Sequence, residues 1–153
     1  MRSFMYAFAA FTTMAALSTL ATTCLADTQT DRDHLVGSWV QTGGNNAWVI
    51  DNCPDGLHIT QLEGTSPVAD FQCNTEGQAC NVKIGGHKAT VSMYYNGPAL
   101  VQLETKGSRI VKRKFSVLPS GKAMKVEVTP MDGATVQTQE LEFERGQPAT
   151  AKK

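Results

Sequence analysis

The feature that most constrains this chain is its punctuation. Beyond the first 34 residues, turn-forming clusters recur about every 8–12 residues, and no stretch keeps the 3.6-residue apolar spacing of an amphipathic helix. Between the turns lie short apolar or alternating runs at 35–41, 46–52, 57–62, 68–73, 80–84, 87–95, 99–105, 109–118, 123–129 and 136–145. The separators are rich in Gly, Pro, Asn and Ser, as in Gly43-Gly44-Asn45, Asn96-Gly97-Pro98 and Lys106-Gly107-Ser108. Gly85-Gly86 marks a two-residue hairpin, because tight hairpin turns need positive φ and glycine accepts it without a steric cost. Connections this short pair each strand with its neighbour in sequence. The expected fold is all-β, an antiparallel up-and-down barrel or strongly curved meander of nine or ten strands.

Residues 1–26 read as a signal peptide: Arg2, an apolar run from Phe4 to Leu20, then small residues before Asp27. Cys24 raises the alternative of a lipid-modified cysteine, although Ala21-Thr22-Thr23 suits that processing poorly. The rest, 27–153, is expected to be a single β-barrel domain, exported to the periplasm or secreted, with no membrane span once the leader is cleaved. Lys plus Arg and Asp plus Glu both total 14, which excludes a strong field for nucleic acid. A hydrophobic share of 41% with 18% charged residues argues for a folded domain over disorder.

Export leaves Cys53, Cys73 and Cys80, an odd number for an oxidising compartment. Cys73 and Cys80 flank a polar loop between two runs, and cross-strand neighbours there would be close enough for a disulfide. Cys53 paired with Cys73 or with Cys80 is an alternative disulfide, and the sharper competing reading is a zinc site of the three thiols with His58 or His87. It lacks a close Cys-x2-Cys pair, so neither metal nor cofactor is expected.

Alternation assigns the faces. Val111, Arg113, Phe115 and Val117 share one face of their run, and Met124, Val126 and Val128 share one face of the next. Leu141, Phe143 and Arg145 share a face of the last run, opposite Glu140, Glu142 and Glu144. An inward Arg113 needs a partner or a wet cavity. The candidate ligand site is therefore Arg113 as a charged anchor, with Val111, Phe115, Met124, Val126 and Phe143 as apolar lining. Trp48, Tyr94 and Tyr95 are further candidates for a ligand mouth.

Gly37-Ser38-Trp39 at the start of the first strand, with Arg145 closing the last, resembles the calycin superfamily of lipocalin-like barrels. That resemblance implies an arginine packed across the tryptophan at the closed end, so Gly37, Trp39 and Arg145 would be structural. The chain is also similar to small exported bacterial proteins that open with Gly-Thr/Ser-Trp after a signal peptide. It is shorter than typical lipocalins, and their other motifs are not evident.

No Gly-x-Ser-x-Gly, phosphate-binding glycine loop, dinucleotide fingerprint or His-Glu-x-x-His is present, and no catalytic residue is assigned. The expected function is non-enzymatic: an exported protein holding a small apolar or amphipathic ligand. The alternatives are an inhibitor of a protease or lysozyme acting through its loops, with an envelope or secreted protein as partner, or a structural envelope protein.

The basic residues Lys106, Arg109, Lys112, Arg113 and Lys114 fall on two faces of their segment. Turns at 119–122 and 130–135 would pair Lys114 with Glu127, and Lys125 with Glu140, on a solvated outer face. Exposed pairs of this kind contribute little. Replacing Lys112 and Lys114 together by Gln should change unfolding free energy by less than about 1 kcal/mol, measured by urea denaturation.

Overall fold

The computed structural model describes residues 32–133 and 136–148; the proposed leader and Cys24 lie outside the described residues. A single helical turn at 32–35 leads into ten strands. They are β1 (Gly37–Gln41), β2 (Asn46–Cys53), β3 (Gly56–Glu63), β4 (Ser66–Cys73) and β5 (Glu76–Ile84). After the glycine hairpin come β6 (His87–Asn96), β7 (Ala99–Lys106), β8 (Arg109–Val117), β9 (Ala123–Pro130) and β10 (Gln139–Arg145). Each strand pairs antiparallel with its sequence neighbours, and β1 pairs with β10 to close the barrel. Gly85 and Gly86 have φ of 56° and 78°, so the β5–β6 hairpin uses the left-handed backbone that glycine permits.

One end of the barrel is filled. Trp39, Phe115, Phe143, Leu35, Ile50, Met93, Leu100 and Met124 are all buried from solvent; Leu35 comes from the helical turn and the others from strands on opposite sides of the ring. The helical turn covers this end: the Trp39 indole N–H donates to the Leu35 carbonyl at 2.8 Å. Arg32, in the same helical turn, stacks over Tyr95 at 4.3 Å. Burial lifts the Tyr95 phenol above its ordinary range, and the Arg32 charge partly opposes that shift.

Arg145 ties the closed end together. Its guanidinium carbon lies 4.4 Å from the Trp39 ring centroid. Its N–H groups donate to the carbonyls of Gly121 at 2.6 Å, Val36 at 3.0 Å and His34 at 2.6 Å. Gly37 has φ of 135°, and a Cβ there would collide with the same guanidinium. The glycine and tryptophan of Gly37-Ser38-Trp39 are thus both fitted to one arginine.

Three sequence expectations need correction. Residues 35–36 precede β1, because Leu35 ends the helical turn. β5 begins at Glu76 and not at 80, absorbing most of the polar loop with a register shift between Glu76 and Ala79. β10 begins at 139 and not at 136, and its register on β9 sets Lys125 opposite Glu142. Lys125 still bonds Glu140 at 3.0 Å, diagonally, and that contact raises its pKa. A two-residue offset keeps every side chain on its expected face, so burial cannot distinguish the two registers. The β8–β9 pairing is as expected, with Lys114 opposite Glu127 and an ion pair of 3.1 Å.

The β4–β5 seam is the sparse one. Its ladder contains the pair Ala69↔Ile84, supported by the Gly85 N–H donating to the Val68 carbonyl at 2.6 Å. Toward the closed end the Cys73–Cys80 disulfide spans the same seam, with Cα atoms 5.9 Å apart. Cys53 is a free, half-buried thiol.

Arg145→Ala removes the stacking contact and three carbonyl partners at once. It should cost about 1–3 kcal/mol of stability, read from the midpoint of urea unfolding. Arg145→Lys should restore little of it, because an ammonium cannot reach three divergent carbonyls while lying flat on the indole.

Candidate ligand cavity at the open end of the barrel

The opposite end of the barrel is polar inside. The tight β7–β8 turn pairs Lys106 with Arg109, which sets Gln102 opposite Arg113 and Glu104 opposite Val111. Alternation then directs Leu100, Gln102 and Glu104 inward, with Val111, Arg113 and Phe115 beside them. The Arg113 guanidinium donates to Glu104 Oε2, and both side chains are largely withdrawn from water, at 14% and 10% exposure. Arg113 also lies 5.9 Å from the Trp48 ring, which meets Phe115 edge-on at 5.2 Å. A charge held inside a barrel needs such a partner, since its desolvation would otherwise exceed any gain from packing.

Two spaces lie beside Arg113. The outer one, about 790 Å³, opens at the mouth between Glu104, Lys106, Arg109, Arg113 and the 137–139 segment. The inner one, about 150 Å³, lies deeper on the same side chains and is bounded by Asn46, Trp48, Gln61, Leu141 and Phe143, a mix of polar and apolar groups. Arg113, Val128 and Gln139 border both. The outer volume lies in the usual range for small-molecule sites, about 300–1,000 Å³. Its ionic lining is three cations against one carboxylate. Lys106 is partly engaged, donating to the Ile84 carbonyl at 3.4 Å.

Of the expected site residues, Arg113 does point inward and finds a carboxylate. Val111 lines the outer space, and Val126 and Phe143 line the inner one. Phe115 and Met124 line neither; they are fully buried in the packed core. Trp48 borders the inner space, whereas Tyr94 lies on the outer surface and Tyr95 sits under Arg32. The disulfide removes Cys73 and Cys80 from any zinc set. Among the described residues no cluster of three or more His, Cys, Asp or Glu side chains is arranged to hold a metal.

Gln102 and Glu104 were missed by sequence reasoning, and the cause is specific. Along β7 the more apolar face is Ala99, Val101 and Leu103, yet the barrel turns that face outward and puts Gln102 and Glu104 inside. Val101 stays buried because it lies between Tyr94 on β6 and Lys114 on β8. The usable signal was the Gly107-Ser108 turn. Counting back across it from an inward Arg113 lands on Gln102.

The closed ten-strand barrel with an arginine-capped tryptophan and a polar interior mouth has the lipocalin-like, calycin fold. Solved structures with the same fold include an abundant heat soluble (SAHS) protein from Ramazzottius varieornatus, at TM-score 0.62 and 12% identity, covering 74% of this chain and 96% of that one. A Schistosoma mansoni fatty acid binding protein in complex with arachidonic acid gives TM-score 0.62 and 13% identity, covering 76% of this chain and 99% of that one. No protein-family profile matches the chain, and no curated protein matches it in sequence.

Arg113→Met leaves the Glu104 carboxylate buried without a partner and should destabilise by about 3 kcal/mol. The double variant Arg113→Met with Glu104→Leu should recover most of that loss, to within about 1 kcal/mol of the parent. Thermal unfolding of the four proteins closes the cycle.

Proposed function

We propose that this protein is a non-enzymatic, exported binding protein that holds a small amphipathic molecule at the open end of its barrel. The observation that carries the reading is the Arg113–Glu104 pair at a mouth of roughly 790 Å³, with Arg113 also bordering a smaller space of mixed polar and apolar lining. A fold selected for stability alone gains little from an ion pair inside the barrel, because an apolar pair of similar volume packs there as well or better. The fatty acid binding protein of the same fold holds its lipid as a complex, which supports a small lipid-like ligand as the class. Export is supported by the leader-like residues 1–26 and by the disulfide, which persists in oxidising compartments. No helix among the described residues is long and apolar enough to cross a membrane.

The filled closed end favours a second reading. A barrel packed at one end has less room for cargo and suits an inhibitor whose loops bind a partner, with the disulfide constraining the 74–79 tip. Native mass spectrometry of protein purified from its own envelope or culture medium separates the two. A bound small-molecule mass that disappears in Arg113→Met supports the cavity reading. An empty barrel carrying a stoichiometric protein partner overturns it.

A further inference from the structure

We infer that the open rim of the barrel is a docking surface for an anionic lipid bilayer, which it meets mouth first. Large apolar side chains exposed singly are ordinary, but clustered ones mark a contact surface. Among the described residues five such side chains are exposed, and three of them, Ile110, Met131 and Val136, belong to this rim. Met131 and Val136 are the most exposed of the five, at 52% and 59%. The Met131 N–H donates to the Ile110 carbonyl at 2.8 Å, which sets these two residues side by side. Val136 reaches the same level through the β9–β10 connection. Thr138, just beyond it, bonds Thr129, just before Met131, hydroxyl to hydroxyl at 2.9 Å. The row borders the mouth, because Pro130 and Gln137, the sequence neighbours of Met131 and Val136, line the outer space.

Charge names the partner. Lys106 and Arg109 stand on the inner edge of the rim, where they line the outer space. Lys112 follows Ile110 on the outer wall, one pleat further down. Lys83 and Lys88 face each other across the β5–β6 hairpin, and the Lys106 bond to the Ile84 carbonyl draws that hairpin to the same rim. Asp132, Glu63 and Asp70 also lie toward this end, and Asp70 is bonded to His58. At the closed end Asp51, Asp55, Glu76, Glu142 and Glu144 outnumber Arg32, Lys122 and Arg145. A chain without net charge therefore has one cationic end and one acidic end. Such a barrel is not drawn to a surface from afar, but it is turned mouth-on to an anionic one at close range. Cations beside inserted apolar groups hold a protein to a bilayer by two additive effects. A specific protein partner needs a complementary surface of about 1,000 Å² or more, far beyond what three projecting side chains supply, whereas a fluid surface needs no matching shape. The inference goes beyond the cavity reading and holds whether or not the barrel carries a ligand.

Co-sedimentation with lipid vesicles tests it, using protein purified from its own envelope or culture medium. Equimolar phosphatidylglycerol and phosphatidylcholine should bind it about tenfold or more tightly than phosphatidylcholine alone at about 0.05 M salt, and that advantage should fall away at about 0.5 M. Ile110→Asp with Met131→Asp, and separately Lys88→Glu with Lys112→Glu, should each weaken binding about tenfold or more. Leu118→Asp, which alters an exposed side chain at the closed end, should leave it unchanged. A gain of signal separates a lost contact from a misfolded variant. Met131→Trp should emit further to the blue on the mixed vesicles and be quenched by brominated lipid, against a background of two buried tryptophans, Trp39 and Trp48. Leu118→Trp should do neither. Equal binding to the two kinds of vesicle, binding to neither, or quenching of Leu118→Trp in place of Met131→Trp overturns the inference. So does a lipid-free dimer that Met131→Asp dissociates, because the apolar row would then cover a second copy of the chain. None of these outcomes alters the mass-spectrometric test of the cavity.

Discussion

Closure of the barrel depends on one side chain. Arg145 ends β10, lies flat on Trp39 of β1, and reaches carbonyls in the N-terminal turn and in the β8–β9 connection. It thereby joins the first strand, the last strand, the preceding turn and a neighbouring loop at the point where the sheet must meet itself. A sheet closed on itself has no free edge, but its two terminal strands must find each other across the whole chain. Here β1 is short, and its pairing with β10 covers Trp39↔Arg145 to Gln41↔Phe143. The arginine gives that brief ladder a fixed end point.

With one end sealed and filled, polar groups are left to the other. β7 shows the division along a single strand. Leu100 joins the packed core, while Gln102 and Glu104, one and two pleats further along the same face, put buried polar groups toward the open end. The same strand tolerates Val101 on its outer face because Tyr94 and Lys114 flank it. A local rule of patterning is broken on β7, and the break coincides with the ion pair and the buried Gln102 amide. Such coincidences are where a chain gives up packing for a specific task.

Much of this was legible in the residues. The glycine-bearing turns located nearly every strand, and alternation correctly directed Arg113, Phe115, Val126 and Phe143 inward. Gly37-Ser38-Trp39 with Arg145 pointed to the closed end through a resemblance, where spacing alone would have said little. What escaped had physical causes. The longer 131–138 connection let β10 sit two residues away from the simplest register, an offset that burial does not penalise. β7 offered apolar residues on both faces, so its inward side was decided by the neighbouring hairpin and not by its own composition. Phe115 and Met124 were assigned to the correct face but not to the correct depth, because alternation reports direction and says nothing of height along the barrel axis.

The disulfide has a meaning beyond loop closure. The β4–β5 seam is the place where the ring is thinnest in backbone hydrogen bonds, and Cys73–Cys80 crosses it covalently. Once reduced, the barrel would be held there mainly by one ladder pair and the turn at Gly85, and the rims of β4 and β5 would be free to act as sheet edges. Exposed edges recruit strands from other molecules. Asp70 on one rim and Lys83 on the other, with Lys88 nearby, place charges along that line. Charged side chains at a strand edge oppose intermolecular pairing. The oxidised bond therefore holds the ring shut at its sparsest seam, and Asp70, Lys83 and Lys88 place charge beside the strands it joins.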